Sequence, residues 1–309
     1  MNILITGASG FTGKYLIKYL ASQENLELFG LLHNHPEPSS NTLEWIKCNL
    51  RDKGQVERCI HKIDPERIIH LAGLNSGSIK NLIETNVLGT ENLLHAINRE
   101  NNGCRILVIG SSAEYGYSKK LPIDETASFN PVGGYGISKV AQDLLARSYY
   151  HRYGLQVAVA RPFNLIGPGQ SSSFVCGQIV SQIVEIETGL RKAINLHEIK
   201  SCRDFIDVRD TVRAYWSILD HNHFTVKCAG NAFNVGSGKS YAITEVLEMI
   251  WEILGEKFPV VVSEKHEKLL IPSQQSDNSL IITTTGWRPH FELKRSLTDM
   301  LLTQRELLI

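Results

Sequence analysis

Short apolar runs alternate with amphipathic stretches over the first half of the chain. Ile3-Leu4-Ile5 reads as a strand that runs into a glycine-rich turn, and Lys14 to Ala21 as the helix behind it. Glu27 to Leu31 is a second strand. Further strand-length apolar runs stand at Trp45 to Cys48, Arg67 to Leu71, Arg105 to Ile109 and Val157 to Ala160. Long helical patterns separate the last three. In one, Ile83, Val87, Thr90, Leu94 and Ile97 follow the i, i+4, i+7 spacing of a buried helix face. Another runs from Gly134 to Arg152. Strands separated by helices predict a parallel, doubly wound α/β sheet of the Rossmann type.

After Arg161-Pro162 the rhythm changes, and Gly, Ser and Gln become more frequent. The pattern predicts helices at Phe174 to Glu187, Val208 to Leu219, Thr244 to Leu254 and Leu293 to Leu307. Short strands are expected near Phe233 to Val235 and Val260 to Val262. This gives a nucleotide-binding domain over 1–161 and a smaller C-terminal α/β lobe over 162–309, with crossings between them allowed. The lobe is expected to close over the C-terminal edge of the sheet, where open α/β sheets bind ligands.

Composition narrows the classes. The 309 residues are 42% hydrophobic and 21% charged, enough for a sizeable core. Lys+Arg and Asp+Glu both total 32, so charge gives no argument for nucleic acid or a membrane surface. No apolar run of about 18 residues suggests a bilayer span. The first residues lead straight into the strand and turn and lack a leader pattern. The six cysteines, at 48, 59, 104, 176, 202 and 228, include no Cys-x-x-Cys. Neither a metal site nor a disulfide framework is expected, and the reading is a cytoplasmic protein with free thiols.

Two motifs carry chemistry. Gly7, Gly10 and Gly13, with Phe11 between the last two, stand as Gly-x-x-Gly-x-x-Gly between a strand and a helix. Glycines there let backbone N–H groups approach a pyrophosphate at the positive end of the helix. Tyr135 and Lys139 lie four apart, on one face of the second long helix. A free phenol titrates near about 10, and a neighbouring ammonium lowers that value. The strand ending at Ile109 leads into Gly110-Ser111-Ser112-Ala113-Glu114-Tyr115-Gly116, which offers a hydroxyl to orient a carbonyl or alcohol.

In order and spacing these motifs resemble the extended short-chain dehydrogenase/reductase family. The resemblance implies a Ser111–Tyr135–Lys139 triad acting with NADP or NAD. Where the family often has an acid for the NAD ribose, this chain has Leu32, followed by His33, which can donate to a 2′-phosphate; NADP is favoured. His33 and His35 also read as plain loop histidines. Asn49-Leu50-Arg51-Asp52, His70-Leu71-Ala72-Gly73 and Asn86-Val87-Leu88-Gly89-Thr90 match the cofactor wall of the family. Cofactor contacts are thereby expected from Asn49, Leu50, Leu71, Ala72, Gly73, Asn86, Tyr135, Lys139 and Pro162, with Lys139 on the nicotinamide ribose. The Asn86 segment also reads as a helix-packing motif.

Position 113 bears on the reaction. The family's 4,6-dehydratases place an acid there to eliminate water, and this chain has Ala113, with Glu114 one residue late as a polar wall or salt-bridge partner. Four further stretches are similar to the GDP-4-keto-6-deoxymannose reductase subgroup: 160–170, 174–187, 203–216 and 285–289. They imply a nucleotide-sugar substrate, with contacts from Ser111, Ser112, Asn164, Val175 and Arg203. Asp207 and Asp210 are read as helix-entry acids. An expected phosphate-binding arginine is replaced by Ile271, next to Leu270. The expectation is NAD(P)H-dependent reduction of a C4 ketone. The alternatives are a 4-epimerase with tightly held NAD and a non-catalytic dinucleotide sensor. The resemblance also implies a homodimer through helices at 81–99 and 134–152.

Overall fold

The computed structural model describes residues 1–33, 42–100, 103–263 and 271–307. His35 and Leu270 lie outside the described residues. The first strands are β1 (Asn2–Thr6), β2 (Glu27–Leu32), β3 (Glu44–Lys47), β4 (Arg67–His70), β5 (Arg105–Ile109) and β6 (Val157–Pro162). The helices among them are α1 (Phe11–Leu20), α2 (Lys53–Ile63), α3 (Ile79–Leu82), α4 (Gly89–Glu100) and α5 (Gly133–Tyr153). Then follow β7 (Asn164–Ile166), α6 (Val175–Glu187), β8 (Ile194–Leu196), β9 (Cys202–Asp207), α7 (Val208–Leu219), α8 (Phe224–Lys227) and β10 (Ala232–Val235). The chain closes with β11 (Ser240–Ala242), α9 (Ile243–Leu254), β12 (Val260–Val262), α10 (Ser279–Thr285) and α11 (Leu293–Glu306).

Seven parallel strands form the main sheet in the order β3-β2-β1-β4-β5-β6-β10. The order reverses between β1 and β4, the switch point where doubly wound sheets open a ligand crevice. Ile3, Leu4 and Ile5 are completely buried because helices cover both faces, which is why such strands read as unbroken apolar runs. Leu16 and Leu20 of α1 pack with Val212, Ile218 and Leu219 of α7 on one face. Val56 and Ile60 of α2, Leu93 and Ile97 of α4 and Ala146 of α5 cover the other. Each such side chain contributes roughly 1.5–3 kcal/mol of burial.

Two local readings change. Between α3 and α4 the backbone makes a π-helical turn over Ile83–Leu88. That turn rotates the preceding residues, so Leu82 and Asn86 are buried while Ile83 and Val87 are only half-buried; beyond it Thr90, Leu94 and Ile97 are buried as read. The strand near 233 pairs with β6 inside the main sheet, and α7 packs on that sheet. Residues 208–235 thus return from the expected second lobe to the first. The lobe itself holds β9 between β7 and β11, and β8 beside β12. Its own core gathers Ile179 and Ile183 of α6, Val246 and Ile250 of α9 and Leu297 and Met300 of α11. Among the described residues no helix is long and apolar enough to cross a membrane.

Candidate active site

A cavity of about 1020 Å³ opens at the C-terminal edge of the sheet, between it and the lobe. One wall is the turn after β1. Gly7 has φ +69°, and a Cβ there would sit 2.8 Å from the Ala72 nitrogen; a Cβ on Gly13 would meet the Gly7 oxygen at 2.5 Å. Glycine is therefore what lets the turn close against the exit of β4. α1 has no side-chain cap at Gly10 and no acid in its first turn. Its N-terminus is left to an anion, and Gly7, Gly10, Phe11, Thr12 and Gly13 line the cavity.

The second wall carries Ser111, Tyr135 and Lys139. Ser111 follows β5 and accepts from the Ala113 N–H at 3.1 Å. Burial raises the Tyr135 phenol above its ordinary value, and the hydrogen bond with Ser111 opposes that. Lys139 is buried, and its ammonium donates to the Ile109 carbonyl at 2.8 Å and Gln142 Oε1 at 2.7 Å. Desolvation pushes it down to about 8, against the pull of Glu114. The expected lowering of the tyrosine by the lysine is not found. The opposing interaction comes from Ser111, and burial outweighs it.

Glu114 is completely buried behind this wall. Its Oε1 accepts from the Ser111 N–H at 2.7 Å, closing a reciprocal cap of the single turn Ser112–Glu114. A Cβ on Gly110 would lie 2.4 Å from that oxygen, so the glycine makes room for the carboxylate. Oε2 stands 3.1 Å from Arg161 Nε, and Arg161 also pairs with Asp143 at 2.9 Å. Burial first, then Asp143, pushes Glu114 up to about 8. The turn thus presents Ser111, Ser112 and the Ala113 methyl to the cavity and sequesters its acid.

The lobe supplies the rest. Asn164, Val175, Arg203 and Ile271 line the cavity. The Asn164 amide donates to the Asp204 carbonyl at 3.2 Å. Arg203 is not paired with Asp204 or Asp207: Asp204 accepts from Ser237 and Ser276, and Asp207 pairs with Arg209. It is the one arginine among the described lining residues. Asp207 caps α7 through the Arg209 N–H, and Asp210 in the first turn accepts from the His290 and Phe291 N–H groups.

Leu71, Gly73 and Pro162 line the cavity, whereas His33, Asn49, Leu50, Ala72 and Asn86 stand off it. Leu32 is buried and His33 exposed at the end of β2. Asn49 accepts from the Arg51 N–H, and the Leu50 carbonyl accepts from Asn92. Ala72 donates to Thr6. Asn86 clamps Leu74 through both backbone groups and donates to Ser138 at 2.9 Å. Its role here is to shape the wall.

Sequence reasoning passed over Tyr215 and Gln142. Tyr215 lines the cavity, is fully buried, and its hydroxyl has no hydrogen-bond partner among the described residues. The helix periodicity of 208–219 marks it only as core. An orphan hydroxyl, an uncapped helix end and a glycine cradle on one cavity fit a dinucleotide with polar groups at both ends.

The profile of the family described as GDP-mannose 4,6 dehydratase matches residues 4–300. The GDP-6-deoxy-D-mannose reductase of Pseudomonas aeruginosa is 31% identical, with 97% of this chain and 95% of that protein covered. The GDP-6-deoxy-D-talose 4-dehydrogenase of Aggregatibacter actinomycetemcomitans is 28% identical, covering 99% and 98%. A solved structure of RMD from Pseudomonas aeruginosa complexed with NADPH superposes with a TM-score of 0.86 at 30% identity, over 99% of both chains.

Proposed function

This chain belongs to the GDP-mannose 4,6-dehydratase family of extended short-chain dehydrogenase/reductases, and from that premise we propose that it reduces the C4 ketone of a nucleotide-linked 4-keto-6-deoxyhexose, with a GDP-linked sugar as the first candidate. It is an NAD(P)-dependent oxidoreductase acting on nucleotide sugars. The observation that carries the choice of reaction is the turn after β5. Elimination of water needs an acid beside Ser111, and this turn offers the cavity a methyl while Glu114 is held behind it.

A bound nicotinamide cofactor supplies the hydride. Gly7, Gly10 and the N-terminus of α1 would hold its pyrophosphate. Ser111 orients the keto oxygen, and Tyr135 delivers the proton to it. Burial holds that phenol above its ordinary value, so it carries the proton that a reduction needs. Lys139, on the same wall of the cavity, would hold the nicotinamide ribose. NADPH is favoured over NADH because Leu32 removes the carboxylate that would repel a 2′-phosphate. A homodimer through α4 and α5 completes the reading, with Leu88 just before α4 and Ile137 and Leu144 on α5 exposed; equilibrium sedimentation reads it.

The deciding assay follows NADPH and NADH oxidation against GDP-, dTDP-, UDP- and CDP-linked 4-keto-6-deoxy sugars. Stoichiometric cofactor oxidation with a C4 alcohol is expected. Isomerisation without net oxidation would replace the reading by an epimerase, and binding without turnover by a sensor. On the best substrate, Arg203→Gln should raise KM about 10–100-fold, since charge-assisted contacts are worth roughly 1.5–3 kcal/mol, and leave kcat close to wild type. Steady-state kinetics separates the two.

A further inference from the structure

Lys139 is seated by a hydrogen-bond chain that runs behind the cavity to the ends of β4 and β1. Gln142, one turn further along α5, accepts from the ammonium through Oε1 at 2.7 Å and donates through Nε2 to Thr90 Oγ1 at 2.7 Å. Thr90 donates its only hydroxyl hydrogen to the Asn86 carbonyl at 2.7 Å. Its oxygen can then only accept from His70 Nε2, 2.8 Å away. His70 therefore carries its proton on Nε2, and its Nδ1 accepts from the Thr6 hydroxyl at 2.7 Å. Thr6 accepts in turn from the Ala72 N–H at 3.1 Å.

In this arrangement each hydrogen of the buried chain is used once. Thr6, His70, Thr90 and Gln142 are all completely buried, and burial, with repulsion from Lys139, pushes His70 down to about 3, so it stays neutral. The consequence falls on Gln142. Because its nitrogen must donate to Thr90, its oxygen must face Lys139; a flipped amide would set two donors against each other. Two ammonium hydrogens are thus committed, to Ile109 and Gln142, which leaves the third uncommitted on a residue lining the cavity.

We propose that Gln142 is the positioning residue for Lys139: its amide oxygen, locked in orientation by the Thr6–His70–Thr90 chain, fixes where the ammonium sits and stabilises its charge. This rests on the reading of Lys139 as part of the hydride-transfer site. The other titratable or charged groups around the ammonium are Glu114 behind β5, His70 at the end of β4, and Tyr135 and Asp143 on its own helix. Asp143 is engaged by Arg147 and Arg161.

Two substitutions of opposite sign test it. Gln142→Met removes the acceptor at similar volume and should lower the Lys139 titration by about one pH unit. Gln142→Glu adds a carboxylate and should raise it by at least about as much. The titration is read directly by NMR of lysine carbon-labelled protein, with Lys139→Met identifying the resonance. The alkaline limb of kcat/KM for reduction should move with it. A titration that stays in place in both variants, or moves the same way in both, overturns the proposal, as a merely structural glutamine would give. If Gln142→Met fails to fold, the sign of Gln142→Glu alone decides. The NMR titration stands whether or not a keto-sugar turns over, so a failed reductase reading is told apart from a failed assignment of Gln142.

Discussion

Replacing Tyr135 with phenylalanine should lower kcat for keto-sugar reduction by about 10²–10⁴-fold, the usual contribution of a positioned general acid, and leave NADPH affinity almost unchanged. The phenol shares the cavity with Ser111 and is held protonated by burial. At neutral pH it therefore carries the proton that the alkoxide needs. Phenylalanine keeps the ring in the wall and removes only the donor. Steady-state kinetics gives the rate, and quenching or transfer of nicotinamide fluorescence gives the affinity. Near-wild-type turnover would place the proton donor elsewhere and sink the mechanism.

The largest effect on stability is expected from Arg161→Met. Arg161 is 1% exposed and stands between two fully buried carboxylates. It also donates to the Tyr115 hydroxyl at 2.8 Å and the Glu125 carbonyl at 3.2 Å, and lies 4.8 Å from the centre of the Phe129 ring. Removing the cation from such a cluster takes the partner from several buried polar groups at once, a loss of about 3–5 kcal/mol. The deficit should depend on pH. Glu114 titrates near 8 in the fold against an ordinary 4.5, so the folded state keeps a proton that the unfolded chain releases between those values. That contribution to stability is complete below 4.5 and is lost as pH rises toward 8. Losing Arg161, which pulls Glu114 downward, makes the charged form worse still. Up to about 8 both folds keep that proton, so urea unfolding should show one constant deficit from 4.5 to about 8 and a larger deficit above it. A deficit that already grows between 4.5 and 8 would mean that Glu114 is charged in the wild-type fold there.

Much of this arrangement was legible because it is local. Ile3 to Ile5, the three glycines behind them and the four-residue step from Tyr135 to Lys139 each specify an element and a face within a single turn or strand. What was not legible depends on partners far along the chain. Ala232–Val235 looks like a lobe strand by position, and only its pairing with Val157–Pro162 puts it in the main sheet. Glu114 reads as a polar wall or a salt-bridge partner, and only its charge partner Arg161, on another strand, decides for the second. A usable signal was present: Ser111-x-x-Glu114 is the spacing of a capping box, which ties the acid back to the serine. The π turn at Ile83–Leu88 left no such mark, and it shifted the buried positions to Leu82 and Asn86. Tyr215 was hidden by the same pattern that predicted its helix, since periodicity marks a buried ring and not what its hydroxyl faces.

That hydroxyl is expected to set the stability of the fold against cofactor binding at one atom. A buried polar group without a partner costs the fold about 1–3 kcal/mol, and among the described residues Tyr215 has none. Tyr215→Phe should accordingly raise the melting temperature of the cofactor-free protein and shrink the further rise that saturating NADPH brings. Thermal unfolding with and without cofactor reads both changes. Selection for a sturdier fold alone would favour phenylalanine here, so both changes together would mark a position where the most stable residue and the most useful one differ.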